Sequence, residues 1–407
     1  MSSPLSLPGV SRRSFMRMAS IAAAVPVFTE AHFARAAMLQ QAANQTVTTV
    51  HHPRAAMPAD AVLINANENP LGPCKAACDI IAAIAPKGGR YDIDGETGKL
   101  TKTFAEQNNI PEDHIMVYAG SSEPLHFSVL AFTSPSKSFV TADPSYEAGM
   151  RAAMVTKAKV VKVPLTKTYA HSRDMATADP NAGVIYICNP NNPTGTITSR
   201  EDIDYILANK PAGSILLIDE AYIHLSDGQS AMEHVAAGKD VIILRTFSKI
   251  YGMAGIRCGL ALGRPDLLAK MQPYGQNAMP ITGSAAANVS LLDTDLVPTR
   301  KKIIASTRND TFAWLTANKY DFIPSQSNCF MINTGRNGKS VITAMQQEKV
   351  WIGRTWPVWP NTVRVSVGTP AEMAKFKVAF KKVMDAPATA ANVMHDHAND
   401  LNTRYLS

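Results

Sequence analysis

Between residues 115 and 262 the chain repeats one texture: short apolar runs at 115–118, 139–141, 160–163, 184–188, 215–218, 241–244 and 258–262, separated by helix-like segments. Helix-length connections are the spacing of βαβ units, because parallel strands need a crossover where antiparallel ones need only a turn. Runs such as VIYIC (184–188) and ILLID (215–219) lack polar alternation, which marks a sheet covered on both faces. The chain reads as an α/β protein. Its chemically interesting residues follow directly after the apolar runs, where open α/β sheets form their ligand crevice.

After about residue 290 the texture changes to a long amphipathic helix (298–319), shorter strands at 329–333, 351–355 and 362–367, and a last helix at 371–384. This organisation predicts a leader at 1–36, an N-terminal arm at 37–75 that joins a smaller domain, a large domain at 76–290, the smaller domain at 291–386 and a tail at 387–407. The 407 residues, 46% hydrophobic and 18% charged, suffice for a large core. A mean hydropathy of -0.06 and the lack of a bilayer-length apolar run argue against a polytopic membrane protein. The net charge of +7 falls to +4 without the leader, and no block of five like charges occurs. That excludes the basic footprint of a nucleic-acid binder and favours small anionic ligands. Five scattered cysteines, Cys74, Cys78, Cys188, Cys258 and Cys329, form no disulfide framework, and no metal-ligand spacing stands out. His395 and His397 read as part of a polar chain end.

The first 36 residues read as a targeting signal on three ordered features: SRRSFMR at 11–17, an Ala-rich apolar stretch at 18–28, and an A-x-A site at Ala34, Arg35 and Ala36; the plain alternative is a basic, Ala-rich helical or disordered N-terminus. A twin-arginine pattern of this kind predicts export to the periplasm or beyond, with a membrane met only in transit. That route carries folded proteins and suits an enzyme that acquires a cofactor first.

The densest chemistry lies in RTFSKIYGMAGIRCG (245–259). Lys249 directly follows an apolar strand, where partial desolvation lowers an amine's pKa and lets it form a Schiff base with an aldehyde. Thr246, Ser248 and Arg257 offer hydroxyls and a charged fork to a phosphate. An aldehyde plus a phosphate describes pyridoxal 5'-phosphate. Upstream, Asp219 ends ILLID and can hold a pyridine nitrogen protonated, with Tyr222 and, from NPNNPTG (189–195), Asn192 reaching the ring oxygen. Ser121 and Ser122 in AGSSEPL open a helix whose N–H groups suit an anion, although the same pattern is an ordinary cap. Tyr146 in DPSYEAG can lay its ring on the cofactor or simply fill core.

Taken together, NANENPLGP (65–73), RY (Arg90, Tyr91), GSSE, PSYE, NPNNPTG, DEAY, FSKIYGMAGIRCG and VRVSVGT (363–369) resemble the fold-type I, class I/II aminotransferases, and within them the histidinol-phosphate aminotransferase branch. The resemblance spans about 63–384. It implies a large, mostly parallel seven-stranded sheet domain with a smaller α+β domain, a lysine Schiff base at Lys249, and ping-pong exchange between a small amino donor and a keto acceptor. Asp219 would pair with the pyridine nitrogen, Asn192 and Tyr222 would bind the ring oxygen and Tyr146 would stack on the ring. Ser121, Ser122, Thr246, Ser248 and Arg257 would take the phosphate. Tyr91 resembles a tyrosine that crosses to the partner's phosphate site, which implies a homodimer. Arg364 and Arg354 resemble the two arginines that bind substrate anions.

Two departures bear on substrate. Asp92 follows the RY pair where the family usually has Pro, and three of the four Trp (Trp351, Trp356, Trp359) surround Arg354, either lining a pocket or filling core. Export also fits poorly with a cytoplasmic biosynthetic pathway, so a different amino acid or amine is expected. The same fold and nearly the same lysine motif serve threonine-phosphate decarboxylases, which keeps a lyase open as the alternative. A non-catalytic binder that kept the fold is a third class, disfavoured by the joint presence of Lys249, Asp219 and Arg257.

Overall fold

The computed structural model describes residues 58–275 and 278–387. The twin-arginine leader, its A-x-A site and the tail histidines lie outside the described residues. Twelve strands build three sheets: β1 (Val62–Ile64), β2 (Ile115–Tyr118), β3 (Ser138–Asp143), β4 (Val160–Pro164), β5 (Ala182–Cys188), β6 (Ile215–Asp219), β7 (Val241–Thr246), β8 (Gly259–Gly263), β9 (Asp321–Ile323), β10 (Cys329–Asn333), β11 (Val350–Ile352) and β12 (Thr362–Ser366).

The seven runs expected from the sequence form one sheet in the order β2-β8-β7-β6-β5-β3-β4. Only β8 runs antiparallel to its neighbours. β5, β6 and β7 are buried along their whole length, as continuous apolar runs require when helices cover both faces. β4, at the edge, is half-exposed, carries Lys162 and ends in Pro164, features that discourage further strand pairing. Because β2, β3, β5, β6 and β7 point the same way, the turns after them gather along one edge.

The smaller sheets come from the chain's two ends. β12-β10-β9 is antiparallel, and β1 pairs in parallel with β11. The helix expected at 298–319 is Leu296–Ala317, and the last helix is Pro370–Asp385, started by a capping box in which Thr369 and Glu372 satisfy each other's backbone N–H groups. One expectation fails. The strand proposed at 351–355 stops at Ile352, because β1 offers only three residues to pair with. Beyond it Gly353 N–H donates to the Arg364 carbonyl (2.7 Å) and Arg364 N–H to the Arg354 carbonyl (3.2 Å), which carries Arg354 alongside β12.

The turn after β6 is fastened to β7 by a buried ion pair, Glu220 with Arg245 at 2.7 Å. Glu220 Oε1 also accepts the Ala231 N–H (2.6 Å) and Oε2 the Ser230 hydroxyl (2.9 Å), while Arg245 reaches His224 (2.9 Å). Removing one member leaves the other as an uncompensated buried charge. Glu220→Ala is therefore expected to cost about 3–5 kcal/mol in a urea or thermal unfolding experiment, with Arg245→Ala comparable.

Candidate active site

Asp219 closes β6, in register with Cys188 of β5 and Leu244 of β7. Its Oδ2 accepts the Tyr186 hydroxyl (3.1 Å) and its Oδ1 the Ala221 N–H (3.1 Å). Burial nonetheless raises its pKa to about 6. Tyr186 is two residues upstream of the end of β5 and points to the same carboxylate. Sequence reading passed it over because it looks like one more apolar core position.

Lys249 lies three residues beyond the end of β7, and its Nζ donates to the Asn67 carbonyl at 3.0 Å. Burial, then the positive charge of Arg364, lowers its pKa to about 8. The ammonium sits 5.4 Å from the centroid of the Tyr222 ring. The Tyr222 hydroxyl accepts from Asn67 Nδ2 (3.1 Å).

Asn67 is the main residue the sequence reading missed. Its N–H donates to Ser366 Oγ (2.8 Å), whose hydroxyl donates back to Asn67 Oδ1 (3.0 Å), and Asn328 Nδ2 donates to its carbonyl (3.1 Å). Its φ of 53° is left-handed, a region that Asn tolerates better than most side chains. That tolerance was the available signal. Cys329 also belongs to this network, its Sγ lying 3.1 Å from Asn67 Nδ2.

A second cluster lies where β2, β7 and β8 meet. Thr246 Oγ1 is 2.9 Å from Ser248 Oγ and accepts the Ser248 N–H (3.1 Å). Arg257 donates to Ser248 Oγ (3.3 Å), the Ala254 carbonyl (2.8 Å) and the Ala119 carbonyl (2.9 Å). The close approach is open only to glycine: a Cβ on Gly120 would lie 2.1 Å from an Arg257 nitrogen, and one on Gly259 2.5 Å from the Gly120 backbone. Ser121 holds the cap position of the helix Ser122–Phe132, but its helical backbone angles give no side-chain capping bond, so the simple capping reading is not what forms. Tyr146 is hydrogen-bonded with Ser122, and burial outweighs that bond in raising its phenol pKa.

On the opposite wall, Arg364 of β12 donates to Asn192 Oδ1 (3.0 Å) and the Asn65 carbonyl (2.7 Å), while its buried Nε finds no partner among the described residues. Arg354 forms an ion pair with Glu147 and lies 4.3 Å from the Trp356 ring centroid. Trp356 is buried with Ile323 and Met331, Trp359 packs partly buried against that cluster, and Trp351 pairs with Leu63 between β11 and β1. Tyr91 is not gathered in: it is 84% exposed. Asp92, at the departure from the family pattern, accepts the N–H groups of Glu96 (2.6 Å) and Thr97 (2.8 Å) and starts the helix Glu96–Asn108.

Comparison with known proteins identifies the family and the fold. The family described as aminotransferase class I and II matches residues 61–380. Histidinol-phosphate aminotransferase of Symbiobacterium thermophilum is 30% identical over 332 residues, 80% of this chain and 91% of that protein. An aromatic amino acid aminotransferase of Cutibacterium acnes is also 30% identical, over 77% of this chain and 90% of that one. The solved histidinol-phosphate aminotransferase of Sinorhizobium meliloti, in complex with pyridoxal-5'-phosphate, shares the fold at a TM-score of 0.73 and 23% identity, over 84% and 99% of the two chains. The chain belongs to the class I and II aminotransferases. It is a transaminase dependent on pyridoxal 5'-phosphate, the cofactor of that family.

Lys249 carries a cost of burial with a definite sign. Its folded pKa (about 8) lies below the unfolded value (10.5), so the penalty is full below about pH 8 and vanishes above about pH 10.5. In protein stripped of cofactor, Lys249→Met is expected to stabilise the fold by about 2–3 kcal/mol at pH 7. Denaturation across that pH range should show the gain shrinking as pH rises.

Proposed function

We propose that the two clusters are the two ends of one cofactor and substrate site, and that the protein exchanges amino groups between a small amino donor and a keto acceptor. The observation that carries this reading is the joint burial of Lys249 and Asp219, an amine lowered to about 8 and a carboxyl raised to about 6, beside a hydroxyl and guanidinium cradle from which any Cβ at Gly120 is barred. The residues fit pyridoxal phosphate. Thr246, Ser248, Arg257 and the helix start at Ser121 and Ser122 would hold the phosphate, Asp219 the pyridine nitrogen, Asn192 and Tyr222 the ring oxygen, and Tyr146 the ring face. When bound, the cofactor supplies an electron sink for the bond broken at the substrate's α-carbon.

The chain's own groups do the rest. With its pKa lowered to about 8, Lys249 Nζ gives up its proton far more readily than an exposed lysine, and as the free amine it takes the α-proton and returns it. The Asn67 carbonyl is its resting acceptor while it is not engaged. Arg364, surrounded by neutral acceptors and holding a spare N–H, binds the substrate's carboxylate by a charge-assisted fork. Tyr91, exposed in one protomer, completes the phosphate site of a partner copy in a homodimer. The leader sends the folded, loaded enzyme across the membrane by the twin-arginine route.

The test uses purified protein lacking the leader. Its spectrum should show the Schiff-base band of bound cofactor, a band lost in Lys249→Ala, and a suitable L-amino acid should convert that cofactor to pyridoxamine phosphate with release of a keto acid. Carbon dioxide with unchanged cofactor would instead indicate a decarboxylase, and no bound chromophore would overturn the assignment. Export is checked separately: Arg12→Lys with Arg13→Lys should leave the protein in the cytoplasmic fraction.

A further inference from the structure

Two arginines lie against the ring of one indole. Trp356, 1% exposed, has the Arg354 guanidinium 4.3 Å and the Arg364 guanidinium 5.6 Å from its ring centroid, and its Nε1–H reaches the Ser145 carbonyl at 3.4 Å. Their remaining partners differ in charge. Arg364 meets only neutral acceptors, Asn192 Oδ1 and the Asn65 carbonyl, and keeps a buried Nε without a partner among the described residues. Arg354 is already answered by a carboxylate: Glu147, the residue after Tyr146, forms an ion pair with it. Both members of that pair are only partly exposed, 35% and 24% of their side chains.

Resting on the transaminase reading above, we infer that the site selects substrates whose side chain carries no negative charge: a carboxylate for Arg364 and a distal group, neutral or cationic, beside the Arg354–Glu147 pair. A phosphate or second carboxylate must either displace Glu147 from Arg354 or share the guanidinium with it, and in both cases the Glu147 carboxylate stays beside the incoming anion. Juxtaposed like charges are how proteins reject a wrong partner. A neutral group leaves the ion pair whole. A cationic group gains Glu147, and an aromatic one meets a wall that Tyr169 and Trp359, edge to face at 5.7 Å, extend next to Trp356. Glu147 is thus a specificity residue. It accounts for how a site can hold two arginines and still refuse a phosphorylated substrate.

The experiment measures binding first and turnover second, on the cofactor-loaded protein. Calorimetric titration with 3-phenylpropanoate, 4-guanidinobutanoate and glutarate, none of which has an amine to react, reads the subsite without chemistry. Single-turnover conversion of L-phenylalanine, L-arginine, L-glutamate and L-histidinol phosphate reads it with chemistry. Wild-type protein should bind the two monocarboxylates at least about tenfold more tightly than glutarate, and Glu147→Gln should shift that ratio toward glutarate by about tenfold. Glu147→Asp, which keeps the charge, should stay near the wild-type preference. Equal or better binding of glutarate by the wild type, efficient conversion of histidinol phosphate, or an unmoved ratio in Glu147→Gln would overturn the inference. A protein that shows the expected binding preference yet converts no donor would overturn the transaminase reading and leave this one standing.

Discussion

A parallel sheet buried on both faces can keep polar groups only at its strand ends, and that constraint organises everything else in this protein. The interiors of β5, β6 and β7 are closed to water. Asp219 and the turn that holds Lys249 therefore sit at the last place where an ionisable group can be both sheltered and reachable. There each pays a desolvation penalty that shifts its pKa toward neutrality from opposite directions. Among the described residues neither forms an ion pair. The two stay buried because hydrogen bonds, from Tyr186 and Ala221 to one and from the other to Asn67, offset part of the cost.

The arm that carries Asn67 turns a sheet edge into a closed site. It leaves β1, which pairs with β11, and passes between the two larger sheets. On one side Ser366, Asn328 and Cys329 hold it; on the other it touches Lys249 and Tyr222. Arg364 ties the same parts together, through Asn65 on the arm and Asn192 after β5. Arg364, proposed to bind the substrate's anion, and the Lys249 amine are thereby positioned by one hydrogen-bond network. Similarity at 30% to proteins named for histidinol phosphate and for aromatic amino acids leaves the substrate to this local chemistry.

Much of this was legible in the one-dimensional chain. The seven apolar runs became the seven strands of one sheet, within a residue or two at each end. Lys249, Asp219, Asn192 and Tyr222 were identifiable because each follows an apolar run, and strand ends of a parallel sheet must converge; Arg257 was identifiable from the segment it shares with Lys249. Asn67 and Tyr186 were not, since one sits in an arm with no periodicity and the other is an aromatic within an apolar strand. The Trp351–Trp356–Trp359 group was readable as core or pocket wall; Trp356 is core, buried against Ile323 and Met331, with two guanidinium groups near its ring.

Local sequence determined the element types, the crossover topology and the residue types at each strand end, because backbone propensity, side-chain burial and turn chemistry act over a few residues. Which of those residues touch was decided only by the tertiary fold. Glu147 and Arg354 are separated by more than two hundred positions, and Asn67 and Ser366 by 299. No spacing rule connects such pairs. Their contact depends on how two sheets and an arm pack, and it is that packing which sets the charges a substrate will meet.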